Sequence, residues 1–355
     1  MRRRSFLAGL PLAAVAVSAG AVERAASDPP EVPALRAGRN GRFKILAISD
    51  FHYVPEPDRY GIALAEKLIA TEKPDLVIVD GDNISGGGSK TAEDVRQSIA
   101  NVAAAMEKNK VPWAGVLGNH DQEYAEQIGI GRAQMFDIYE SHPHNVNRGW
   151  VRGLHGAGNG YLLVWDEART QPLCCLWLLD SGGSAADRDV RYDWIHSDQI
   201  AWYVQTSKLL ETRFGRKIPG LMFFHIPVPE FHEMILTHKV LGERHEPESP
   251  SSVNGGLFAA VLERGDVMGI FCGHDHVNNY VGKYRGIALG YVGVVGYRGY
   301  PHIPPKDAGN GRARGGRVLL LDRTQPGKFK TWMRFLDGSV NWEFWSDAYE
   351  TAEIK

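Results

Sequence analysis

Five short segments carry residue types that bind metal ions, and each follows an apolar run. They are Asp50-Phe51-His52, Gly81-Asp82-Asn83, Gly118-Asn119-His120-Asp121, the lone His225 in His225-Ile226-Pro227, and Gly273-His274-Asp275-His276. Asp50/His52 and His274/His276 are i, i+2 pairs, so in an extended segment both side chains of a pair share one face. Glycines at 81, 118 and 273 let the backbone bend closely around an ion. Imidazoles, carboxylates and a neutral amide oxygen together suit borderline ions such as Zn, Mn or Fe. The donors exceed what one ion needs, which points to two ions sharing a carboxylate. Two ions about 3.5–4 Å apart can clamp the attacking and leaving oxygens of a phosphoryl group and make hydroxide at neutral pH.

Strands must bring these segments together. Residues 43–49, 76–79, 113–117, 221–224 and 267–272 read as strands, each stopping at one of the five segments. Residues 62–71, 92–108, 197–210 and 256–264 read as helices, and further strands are expected near 161–165 and 174–179. The tail (286–292, 317–321, 329–335) reads as a strand-rich meander. Apolar strands separated by helices indicate an α/β fold with βαβ units and a largely parallel sheet. The carboxyl ends of such strands line the ligand crevice. One domain over residues 42–355 fits the size range better than two.

Composition narrows the field. The 355 residues hold 40 basic and 42 acidic side chains, a net charge of -2, which argues against a stable nucleic-acid partner. Cys174, Cys175 and Cys272 are too few for a disulfide framework and read as buried thiols. Trp194 and Trp202 read as core, and Arg312, Arg314 and Arg317 as a solvated loop. The histidines outside the five segments, His155 and His196 among them, read as surface residues.

Residues 1–27 read as a signal peptide. Arg2-Arg3-Arg4-Ser5-Phe6-Leu7 precedes a short apolar run (residues 10–17) and a small-x-small site, Ala19-Gly20-Ala21. The arginines are of the twin-arginine type, which implies the twin-arginine export machinery as a partner and a periplasmic or secreted bacterial protein. Residues 28–41, rich in Pro, Gly and polar residues, read as a linker. No later stretch has ~18 consecutive apolar residues, so no membrane span is expected in the mature chain.

The ordered motifs Asp-x-His, Gly-Asp-Asn, Gly-Asn-His-Asp, a lone His and Gly-His-Asp-His resemble the calcineurin-like metallophosphoesterase family. The contexts His225-Ile-Pro-Val-Pro-Glu230 and Gly273-His-Asp-His-Val-Asn-Asn279 resemble its purple-acid-phosphatase-related branch. The resemblance implies a metallophosphoesterase fold, a two-sheet β-sandwich flanked by α-helices, with metals at the strand ends. It assigns Asp50, His52, Asp82 and His276 to one ion, and Asp82 (bridging), Asn119, His225 and His274 to the second. His120 would bind phosphate and protonate the leaving group, with Asp121 orienting its imidazole. One motif departs from that branch: its purple members carry a metal-binding Tyr three residues after the bridging Asp, where this chain has Ser85. The resemblance therefore carries no expectation of a tyrosinate-bound ferric ion.

The expected activity is hydrolysis of small phosphate esters, monoesters favoured, by attack of a metal-bridged hydroxide. The alternatives are a phosphodiesterase or nucleotide-cleaving hydrolase using the same site, and a non-catalytic metal-binding or interaction protein.

Overall fold

A computed structural model of the chain describes residues 34–123, 125–298 and 314–347. The expected signal peptide, the first part of the expected linker, and Arg312 lie outside these residues.

Two mixed sheets face each other, their strands numbered in chain order. In the first, β1 (Arg42–Ile48), β2 (Leu76–Asp80) and β3 (Trp113–Val116) run parallel. Antiparallel β11 (Gly315–Asp322), β12 (Phe329–Phe335) and β13 (Val340–Trp345) extend that sheet beyond β1. The second sheet has the order β4 (Gly160–Trp165), β5 (Pro172–Leu178), β6 (Gly220–Phe223), β8 (Val267–Cys272), β10 (Ile287–Tyr291), β9 (Val281–Tyr284) and β7 (Val240–Leu241). Its parallel pairings are β5–β6, β6–β8 and β8–β10. Helices connect β1 to β2, β2 to β3, β5 to β6 and β6 to β8, whereas the parallel pair β8 and β10 is joined through β9, and the expectation of one largely parallel sheet gives way to the two-sheet sandwich.

The central strands are continuous apolar runs because both of their faces are covered. Along β1, Phe43, Ile45 and Ala47 join Leu176, Phe223 and Phe271 between the sheets, while Leu46 and Ile48 face helices. Those helices are α1 (Arg59–Glu72), α2 (Ala92–Asn109) and α3 (Arg132–Glu140). On the far side, α4 (Ser197–Phe214), α5 (Glu230–Thr237) and α6 (Leu257–Arg264) pack on Trp177, Met222, Ile270 and Leu289. Truncating a fully buried Leu such as Leu46 to Ala would cost about 2–5 kcal/mol. None of the described helices is long and apolar enough to cross a membrane.

Several expectations change. Leu35 and Ala37, inside the expected linker, are buried, and Ala37 N donates to Trp165 O at 2.9 Å. Arg314 and Arg317 are buried rather than solvated. Arg317 Nη2 donates to Asn279 O at 2.8 Å and its Nε to Tyr291 O at 2.5 Å, pinning the chain that leaves the Gly-His-Asp-His segment. Trp202 is core, but Trp194 is only half-buried. All three cysteines are buried free thiols, as expected.

Candidate metal centre

Both sheets deliver residues to one place. β1 and β2 stop just before Asp50 and Asp82, and β3 just before the Gly118–Asp121 turn; β6 and β8 supply His225, His274 and His276. The approach is close: a Cβ on Gly81 would lie 2.5 Å from the His225 ring, and one on Gly118 2.2 Å from Asp82 Oδ1. Asp50, His52, Asp82 and His274 all have positive φ (53°, 47°, 48° and 76°). Non-glycine residues rarely adopt this conformation, and it is held where the surroundings over-determine it. The i, i+2 pairs therefore converge through tight turns rather than as extended segments.

Two groups of ligand atoms overlap at Asp82. One comprises Asp50, His52, Asp82 and His276, the other Asp82, His225 and His274, and either could hold an ion. Asp82 Oδ2 is 3.7 Å from His52 Nε2 and 3.1 Å from His225 Nε2, so one oxygen faces both groups. Its Oδ1 is taken by the backbone amide of His120 at 2.8 Å. Asp50 Oδ1 lies 3.1 Å from His276 Nε2 and 3.9 Å from both His52 Nε2 and His225 Nε2.

The donor set fits metal ions. Asp50 Oδ1, Asn119 Oδ1, His225 Nε2 and both ring nitrogens of His274 are buried without a hydrogen bond. Buried polar atoms are ordinarily partnered, and a cluster of unsatisfied donors and acceptors at one point is what ligation resolves. His52 Nε2 and His276 Nε2 face each other at 3.1 Å, lone-pair sites converging on common space. The ring nitrogens that point away are engaged, His225 Nδ1 with Asp80 O at 2.8 Å and His52 Nδ1 with Ser85 Oγ at 3.3 Å. Such partners set the tautomer that leaves Nε2 to bind a cation. Ser85, the departure from the purple branch, thus holds a ligand instead of being one. Tyr53 is buried against Phe51 and offers no substitute phenol.

Electrostatics agree. Burial alone would raise the Asp50 pKa, but His276 beside it brings it down to about 2. Asp82 is likewise held well below the carboxylate range, burial being outweighed by His225 and His52. Burial pushes His52 down to about 4, and burial together with His225 pushes His274 down to about 3. His225 is raised to about 10, the Asp82 charge overcoming its burial. Two ionised carboxylates and the neutral imidazoles of His52 and His274 are a ready ligand set, while His225 and His276, raised by Asp82 and Asp50, would each give up a proton on binding an ion.

His120 stands at the rim, its side chain 41% exposed and its ring 5.0 Å from that of His52. Its Nδ1 lies 2.6 Å from Glu123 Oε1. That hydrogen bond, against some burial and with help from Asp82, raises its pKa to about 9. Asp121 does not orient this imidazole, contrary to the sequence expectation. It is fully buried, and its oxygens accept the amides of Asn83 (3.1 Å), Ile84 (3.0 Å) and Gly118 (2.6 Å). It ties the second ligand segment to the third. Glu123 gave no signal in the sequence, since only the turn after Gly118 brings it back to His120. Arg132 was missed too: its guanidinium, paired with buried Asp180, donates to Gly118 O at 3.0 Å and braces the same turn.

The calcineurin-like phosphoesterase family profile matches residues 43–278, well over half of the chain. An Arabidopsis thaliana protein named "Probable inactive purple acid phosphatase 14" is 34% identical over 347 residues, covering 85% of this chain and 83% of that protein. Among solved structures, a dimetal phosphatase from Danio rerio superposes with a TM-score of 0.55 at 15% identity, over 82% of this chain and 96% of its own. GAP50, described as the anchor in the inner membrane complex of Plasmodium, gives 0.52 at 14% identity over 85% and 88%. At such identities the two structures speak for the fold alone.

Proposed function

We propose that this chain, which belongs to the calcineurin-like phosphoesterase family, is an exported dimetal phosphoesterase that hydrolyses small phosphate esters, monoesters in preference. The observation that carries the reading is the pair of buried ligand groups meeting at one oxygen of Asp82. Asp50, His52, Asp82 and His276 would hold one ion, and Asp82, Asn119, His225 and His274 the other. Ions there would supply Lewis-acid stabilisation of the phosphoryl oxygens and lower the pKa of a water. Fe, Mn and Zn all suit the donors.

The chain's own residues supply the rest. Asp80 and Ser85 fix the rings of His225 and His52, and Asp121 and Arg132 fix the turn that carries Asn119 and His120. Glu123 holds His120 through Nδ1, which leaves Nε2 for the substrate. His120 carries a proton at neutral pH and gives it to the departing alkoxide. Export rests on the Arg-Arg-Ser-Phe-Leu segment and the short apolar run that follows it.

A second reading, a non-catalytic protein on the same fold, is favoured by the word "inactive" in the relative's name and by the anchor role of GAP50. Against it stand the complete ligand set and the His120–Glu123 pair. A panel of phosphomonoesters and diesters, assayed on the metal-loaded protein with bound ions counted, separates the two. Monoester turnover exceeding diester turnover supports the proposal. Diester preference points to a phosphodiesterase, and bound ions with no turnover on any ester to the non-catalytic reading.

A further inference from the structure

His155, Asp193 and His196 come together away from Asp82. His155 lies in the turn before β4, and the other two lie in the segment entering α4, where His196 is the residue that precedes the first turn. His155 Nε2 is 2.8 Å from Asp193 Oδ2, and His196 Nε2 is 2.9 Å from Asp193 Oδ1. The two imidazoles stack with centroids 3.5 Å apart and planes within 10°, so both Nε2 atoms address one carboxylate from the same side. One ligand atom from each residue lies within 4.8 Å of the others.

The scaffold is fixed before any ligand arrives. His155 N donates to Asp198 Oδ2 at 2.7 Å, Asp193 N to Gly183 O at 2.9 Å, and His196 N to Gln199 Oε1 at 2.7 Å. Trp194 stacks on His196 with planes 7° apart. The side chains are 37%, 15% and 29% exposed for His155, Asp193 and His196, so water can complete a coordination sphere.

We propose that this trio is a third metal site, which takes a borderline divalent cation such as Zn²⁺ through two imidazoles and one carboxylate. Three protein ligands with open positions are the pattern of a solvent-accessible zinc site. On binding, each imidazole would ligate through Nε2 as the neutral Nδ1–H form, and any proton displaced passes to solvent. The site shares no residue with the Asp82 groups. It borders them through Tyr192, whose ring meets the His274 ring edge-on at 4.5 Å. An ion here would clip the turn before β4 to the start of α4 beside the mouth of the candidate centre.

The test uses the full chain with its Asp82 groups already loaded, dialysed to equilibrium against Zn²⁺, and counts bound metal per chain. The expected result is one more ion on the wild type than on a His155→Ala/His196→Ala variant. Zn²⁺ should also raise the melting temperature of the wild type alone, because a ligand that binds only the folded state stabilises it. Asp193→Asn serves as a second variant should the double one fail to fold, and it should lose the same ion. Equal metal counts in the wild type and the folded variants overturn the proposal.

Discussion

Glu123 Oε1 and His120 Nδ1 are 2.6 Å apart, which makes Glu123 the carboxylate partner of the rim histidine. The partner is three residues along the chain, inside the turn that also places Asn119. Replacing Glu123 by Gln keeps the shape and removes the charge. We expect kcat to fall about 10-fold, with KM and bound metal unchanged. Steady-state kinetics alongside metal analysis reads this, and an unchanged kcat would remove Glu123 from the account.

His120 itself is expected to matter more. His120→Ala should lower turnover by about 10²–10⁴-fold, the usual range for a general acid. Bound metal should stay, since only the backbone amide of His120 touches Asp82.

Ser85→Ala removes the partner of His52 Nδ1. Loss of such an orienting group typically weakens metal affinity by about 10–100-fold. A competition titration against a chelator should show one ion weakened and the other unaffected. Equal weakening of both, or of neither, would contradict the assigned role.

Asp121→Ala strands three buried amides, those of Asn83, Ile84 and Gly118. Unsatisfied buried groups cost about 1–3 kcal/mol each, so urea unfolding should show a loss of at least about 3 kcal/mol. A loss of only a few tenths would mean that Asp121 does not organise the turn.

Acid stability should depend on Glu248. This fully buried side chain accepts from Arg244 (2.7 Å) and Tyr280 (2.9 Å) and pairs with His232 (3.0 Å). Burial would raise its pKa, yet Arg244 and His232 hold it below the ordinary value of 4.5. A folded pKa below the unfolded one means stability that is present above about pH 4.5 and lost as pH falls through the folded value. The melting temperature of the wild type should therefore drop more steeply below about pH 4.5 than that of Glu248→Gln. Parallel curves would contradict this.

The ligand segments were legible because strands buried on both faces are apolar throughout, and Asp50, Asp82 and His225 break the pattern where those strands end. The two-sheet sandwich thus followed from the family likeness, and the candidate ligand segments from local patterning together with that likeness. What was not legible depends on contacts made across the fold. Asp193 meets His155 from 38 residues away, and nothing local marks either residue. Arg314 and Arg317 read as a surface run because their charges stand close in sequence; the antiparallel pairing of β11 with β1 buries Arg317, and Arg314, just before β11, is buried over the Tyr297 ring with its Nε donating to Gly296 O. The short helices α3 and α5, of nine and eight residues, have no counterpart in the sequence reading.

The central claim is that the two ligand groups around Asp82 make the chain a metal-dependent phosphoesterase. The most direct measurement is p-nitrophenyl phosphate turnover by the purified chain as isolated, after chelation, and after reloading with Mn²⁺ or Zn²⁺. The account predicts turnover that disappears on chelation, returns on reloading, and does not return in His225→Ala. Turnover that survives complete removal of metal, or none in a fully loaded chain, would contradict it.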